Sequence, residues 1–173
     1  LSAEEAAQVC AAYGIPTPGQ GLAQDADAAV AIADEVGYPV VLKVESPDIL
    51  HKTDAGGVLT GLGDEAAVRD GFARIIASAR AFDASAEIRG CLVQQMIPAG
   101  TEVIVGALTD PTFGKLTAFG LGGTLVEVLG DITFRLAPTS RADALLMTSD
   151  LKAAAILDGV RGAPAVNREA LAD

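Results

Sequence analysis

The sequence predicts an α+β protein in two lobes, and three observations carry that expectation. Periodic segments follow in the order helix, helix, strand, strand, helix, then a run of short strands, then helices, which makes more hairpins than βαβ units. Pro98-Ala99-Gly100 breaks the chain after an apolar strand, so the lobes are expected at residues 1–97 and 98–173. Half of the 173 residues are apolar and a fifth are charged, enough for a core in each lobe.

The elements follow in order. Ser2-Ala3-Glu4-Glu5 has the form of a capping box, starting a helix that runs to about Tyr13 and stops at Gly14. Ile15-Pro16-Thr17-Pro18 is an extended connector. Asp25 opens an alanine-rich helix carrying Val30, Ile32 and Val36, and Gly37 closes it. An apolar strand spans 39–45, and 57–61 returns as a second strand. Asp64 caps a long helix to about Phe82, with Val68, Phe72, Ile75 and Ile76 on one face. A strand is expected at 92–97. In 101–109 the alternation puts Val103, Val105 and Ala107 on one face, and short strands follow at 115–119, 125–129 and 133–136. Ser140 caps a helical tail over 141–157, interrupted near Ser149-Asp150 and ended at Gly159; Asn167 caps a last short helix.

The net charge is −11 with no basic run, which argues against a nucleic-acid partner. A polyanion such as ATP remains compatible, because backbone amides and a metal ion do much of the work of holding phosphates. Cys10 and Cys91 are isolated, so neither a zinc site nor a disulfide framework is indicated. No apolar run reaches transmembrane length and no secretory leader opens the chain, so a cytoplasmic protein is expected. The chain starts without Met and directly on a helix, which suggests a piece of something longer.

The chemistry concentrates in one loop, Ser46-Pro47-Asp48-Ile49-Leu50-His51-Lys52-Thr53-Asp54-Ala55-Gly56-Gly57-Val58. Pro47 stops the strand before it, and Gly56-Gly57 permits a sharp turn or close approach to a ligand. Between them stands the single histidine of the chain. Imidazole attacks phosphoryl groups at neutral pH; Asp54 is placed to hold its ring in one tautomer, and Lys52 to offset charge on a phosphate oxygen. Lys43 interrupts an apolar strand and needs polar company. Gly61-Leu62-Gly63 loosely matches a dinucleotide fingerprint, but Asp64 and Glu65 would stand where a pyrophosphate goes. Gly120-Leu121-Gly122-Gly123 permits close backbone approach, and beyond it Glu127 and Asp131 are the candidate magnesium ligands, four apart and brought to one side if Gly130 bends the chain. Arg135 is the cation nearby, facing either phosphates or Asp131.

The central loop resembles the S-x-D-x-x-H-K-T-D-x-G-G-V signature of the ATP-grasp domain of ADP-forming acyl-CoA synthetases. The likeness extends through Tyr13-Gly14-Ile15-Pro16, Gly37-Tyr38-Pro39, Gln94-Gln95-Met96-Ile97, Asp110-Pro111-Thr112-Phe113-Gly114 and Val126-Glu127-Val128-Leu129-Gly130-Asp131 to Phe134-Arg135-Leu136-Ala137-Pro138. The resemblance implies an ATP-grasp fold whose two lobes clamp Mg·ATP or Mg·ADP. It implies that Lys43 binds nucleotide phosphates and that the backbone of Gln94, Gln95, Met96 and Ile97 pairs with adenine. Glu102 then lies where the ribose is held, with the glycine pairs Gly56-Gly57 and Gly122-Gly123 close to the ligand. His51 looks like a phosphoryl carrier, with Lys52 and Asp54 assisting.

The implied partners are CoA-binding and CoA-ligase domains, in the same chain or a separate subunit, in an oligomeric protein. Members of this family continue to an E-x-D-I-N-P-L segment that is absent from these residues, so a partial second lobe and no catalysis by this chain alone are expected. Two alternatives stay open: a non-catalytic module of the kind fused to protein lysine acetyltransferases, and another ATP-grasp carboxylate ligase. His51-Lys52-Thr53-Asp54 argues against the second.

Overall fold

A computed structural model describes residues 3–123, 130–160 and 162–173. The expected Ser2 cap, the expected strand at 125–129 and Glu127 lie outside them. The chain divides into two units, Leu1–Pro98 and Ala99–Asp173.

In the first unit, α1 (Ala3–Ala12) leads to β1 (Gln20–Ala23), α2 (Ala26–Val36), β2 (Val40–Glu45), β3 (Val58–Leu62), α3 (Glu65–Phe82) and β4 (Gly90–Gln95). The strands form one sheet in the order β1-β4-β2-β3, with antiparallel pairing throughout. The two helix starts follow the sequence signals. Asp25 accepts from Ala28 N at 2.8 Å and Asp64 from Ala67 N at 2.8 Å, each cap stabilising its helix by about 1 kcal/mol. β2 alternates, with Val40, Leu42 and Val44 buried and Val41, Lys43 and Glu45 half-buried on the other face. The inward residues pack with Val93, Cys91, Val68 and Ile75 into the core under α2 and α3. Each fully buried valine, leucine or isoleucine is worth about 1.5–3 kcal/mol.

Two expectations change here. β1 is a strand that sequence reading misses: Gln20-Gly21-Leu22-Ala23 has little β propensity and is held by its pairing to β4, Gln20 opposite Gln94. β4 ends at Gln95 rather than 97, and Met96 and Ile97 lie exposed.

The second unit holds β5 (Val103–Asp110), β6 (Gly114–Leu121) and β7 (Ile132–Leu136), an antiparallel sheet in that order. Next come α4 (Arg141–Ser149), a 3₁₀ helix (Ala154–Asp158) and α5 (Arg168–Ala172). Ser140 and Asn167 cap α4 and α5 as expected. Phe119, Leu121, Met147, Leu151 and Leu157 form the core, and Val103 packs against it. Along the face that Val103 and Val105 share, Val103 packs against this core while Val105 is 66% exposed. Among the described residues no helix is long and apolar enough to cross a membrane.

Candidate functional site

The central loop leaves β2 at Ser46, whose Oγ accepts from Asp48 N at 3.2 Å. Ile49 is buried in the core and anchors the loop, while Leu50 beside it is 83% exposed. Asp48 Oδ2 accepts from Glu87 N at 2.7 Å, tying the loop to the segment before β4. From His51 onward the backbone closes on itself. Asp54 N donates to His51 O at 3.2 Å, Gly56 N to Thr53 O at 3.0 Å and Gly57 N to Lys52 O at 2.8 Å. Gly57 must be glycine here, since a Cβ would stand 2.4 Å from Val44 Cγ1 and 2.9 Å from Lys52 O. Gly56 sits at φ +62°, in the left-handed region. The close approach signalled by the glycine pair is thus an approach to β2 and to the loop itself, and both glycine amides are spent inside the turn.

The loop presents His51 to solvent. Its carbonyl is engaged, but no hydrogen bond joins its ring to the Asp54 carboxylate, so the expected tautomer-holding contact is not made in this structure. Lys52 turns back to β2, where Nζ donates to Glu45 Oε2 at 2.7 Å in a pair with both side chains mostly covered. Lys43, on the same outward face of β2 as Glu45, donates from Nζ to Gln94 Oε1 at 2.6 Å. Gln94 Nε2 donates in turn to Gln20 Oε1 at 2.7 Å. Burial pushes the Lys43 ammonium below its ordinary pKa, and the charge of Lys52 adds to the push. Two ammonium groups and one carboxylate therefore share one sheet face, a net positive patch suited to phosphate oxygens. Gln95 N donates to Gly19 O at 2.8 Å and Met96 N to Pro39 O at 3.1 Å, so these two amides of the expected adenine segment are occupied within the fold.

In the second unit, Gly100, Thr101, Glu102, Leu121, Gly122, Gly123 and Ile156 line a cavity of about 490 Å³. Gly122 N donates to Glu102 O at 2.6 Å, and a Cβ on Gly122 would stand 2.8 Å from Glu102 Cβ. Sequence reading named Glu102 and the glycines separately; the structure makes them neighbours.

The expected metal and phosphate residues of this unit have other partners. Asp131 is 6% exposed, and its oxygens accept from Lys152 N at 2.9 Å and Ala153 N at 2.8 Å, capping the turn before the 3₁₀ helix. Arg135 pairs with Asp150 and donates to its own strand's Phe134 O at 2.9 Å, not to Asp131. Among the described residues no group of three His, Cys, Asp or Glu side chains is placed to hold a metal ion.

A family model described as an ATP-grasp domain matches residues 1–173. The chain belongs to the ATP-grasp domain family. This ATP-grasp domain is 46% identical over 169 residues to the acetate–CoA ligase (ADP-forming) I subunit beta of Pyrococcus furiosus, covering 98% of this chain and 73% of that one. It is 44% identical over 162 residues to the 4-hydroxybutyrate–CoA ligase (ADP-forming) of Nitrosopumilus maritimus, covering 94% of this chain but 23% of that one. The same fold occurs in the dinucleotide forming acetyl-coenzyme A synthetase 1 of Ca. Korarchaeum cryptofilum, solved with coenzyme A and Ca-AMPCP. There the TM-score is 0.96 at 43% identity, over 100% of this chain and 76% of that one. Another structure of that protein holds coenzyme A and Mg-AMPPCP, with its phosphohistidine segment pointing towards the nucleotide binding site. The α+β reading and the ATP-grasp fold are borne out.

Proposed function

We propose that this ATP-grasp domain is the nucleotide-handling part of an ADP-forming acid–CoA ligase, with His51 as a phosphoryl carrier. The reaction converts an acyl-CoA, ADP and phosphate to a free acid, CoA and ATP, and runs in both directions. The observation that carries the reading is His51: an exposed imidazole on a loop whose backbone closes on itself, following the strand that carries Lys43. Two relatives at 46% and 44% identity are ADP-forming CoA ligases, which favours this reading over a regulatory module of an acetyltransferase.

The chemistry is a relay. A ring nitrogen of His51 takes a phosphoryl group from a phosphohistidine on a partner CoA-ligase domain, forming one P–N bond as another breaks. A β-phosphate oxygen of ADP then displaces His51 and forms ATP. Lys43 holds nucleotide phosphate oxygens, and Lys52 offsets charge near the transferring group while Glu45 positions it. Mg²⁺ accompanies the nucleotide, supplying charge neutralisation mainly through phosphate oxygens and water. The CoA-binding and CoA-ligase domains are the partners, in the same polypeptide or another subunit. The relatives include both a beta subunit of which this chain spans 73% and a ligase of which it spans 23%.

The test is ATP formation by the full-length protein with its CoA-ligase partner, supplied with acetyl-CoA or another acyl-CoA, ADP and phosphate. ATP that appears only when acyl-CoA and phosphate are both present supports the ligase. Nucleotide binding without any acyl-CoA-dependent ATP formation, across a panel of acyl groups, removes it.

A further inference from the structure

We propose that Gln20 is a positioning residue for nucleotide binding, acting through Gln94 on Lys43. The inference rests on the phosphate-binding reading of Lys43. A carboxamide has a donor end and an acceptor end, and rotation about its last bond exchanges them. The Lys43 ammonium has donors only, so Gln94 turns Oε1 to Nζ at 2.6 Å; its Nε2 then needs an acceptor, which β1 supplies as Gln20 Oε1 at 2.7 Å. The strand pairing makes this reach repeatable, because Gln20 stands directly opposite Gln94 in the β1–β4 ladder, and Gln94 opposite Val41 in the β4–β2 ladder. All three side chains are half-buried, where a misdirected NH₂ group facing an ammonium would cost more than in water.

The neutrality of the relay matters as well. Lys52 is held by a carboxylate, Glu45, at 2.7 Å, so its positive charge has a counter-charge beside it. Lys43 is held by a carboxamide, which fixes the ammonium and leaves its positive charge uncancelled for a phosphate oxygen. Holding the group in advance lowers the ordering cost of binding. β1 is the element that sequence reading misses, so this role is invisible until the sheet is assembled.

The experiment is a double-mutant cycle on the full-length protein, read by calorimetry with Mg·ATP. Gln20→Met keeps the length of the side chain and removes the acceptor; it is expected to weaken binding about fivefold, the loss of one well-placed hydrogen bond. In a Lys43→Ala background, Gln20→Met is expected to change nothing further, because its route to the ligand is gone. A parent-like Gln20→Met, or an equal loss in the presence and absence of Lys43, overturns the positioning role. A parent-like Lys43→Ala overturns the phosphate-binding reading itself, and the relay with it. Thermal unfolding of each variant separates these results from misfolding.

Discussion

Lys43 and Gln94 stand on neighbouring strands, 51 residues apart in sequence, with Nζ 2.6 Å from Oε1. That hydrogen bond is the company the lysine needs in a strand otherwise apolar up to Glu45. It holds an ammonium at partial burial without a carboxylate against it.

If that ammonium receives nucleotide phosphates, Lys43→Ala should weaken Mg·ATP binding at least about tenfold, or about 1.4 kcal/mol. Calorimetry on the full-length protein measures it. Equal affinity in variant and parent removes Lys43 from the site.

The same lysine makes a pH prediction. Burial, with Lys52 adding, lowers its pKa in the folded chain below the ordinary value, about 10.4. Between the lowered and the ordinary value the unfolded chain binds more protons, so stability rises with pH across that window. Relative to Lys43→Met, the parent should therefore gain stability as pH climbs towards about 10.4, in urea unfolding at a series of pH values. A difference that stays flat, or falls, contradicts the buried-ammonium geometry.

His51→Asn keeps a polar side chain and removes the nucleophilic nitrogen. Trapped with labelled ATP, the full-length protein should carry an acid-labile, base-stable phosphoryl group on this domain; the variant should carry none and should stop net ATP formation. Turnover at the parent rate would reduce His51 to a solvated loop residue.

Asp131→Ala separates a structural acid from a metal ligand. Its carboxylate takes the amides of Lys152 and Ala153, so the variant should lose roughly 1–3 kcal/mol of stability in urea, while the Mg²⁺ concentration needed for nucleotide binding stays the same. Unchanged stability with a raised Mg²⁺ requirement would restore the metal reading.

Cys91 is buried and its thiol is pushed up to about 12 by desolvation. At pH 8 the native protein should therefore react with a thiol reagent at Cys10 and not at Cys91, both reacting in denaturant. Rapid native labelling of Cys91 would mean the β4 core opens readily.

Much of the fold is legible in the sequence because it is locally encoded. Asp25, Asp64, Ser140 and Asn167 each cap a helix with their own side chains, bonding an amide three residues on. Gly37, at φ +85°, ends α2 for a reason confined to its own backbone. The alternation of β2 and the polar loop after it are written within a short stretch of chain, which is why Lys43, His51 and Lys52 stand out from residue order alone. Tertiary structure decided what depends on partners distant in sequence. β1 exists because β4 pairs with it. Arg135 finds Asp150, and Asp131 finds amides 21 and 22 residues on. Val105 is exposed although Val103, on the same face of β5, packs against the core. The relay from Gln20 to Gln94 spans 74 residues and needs three strands in register before its atoms meet. A side chain's type states which partners it accepts; only the assembled sheet determines which one lies within reach.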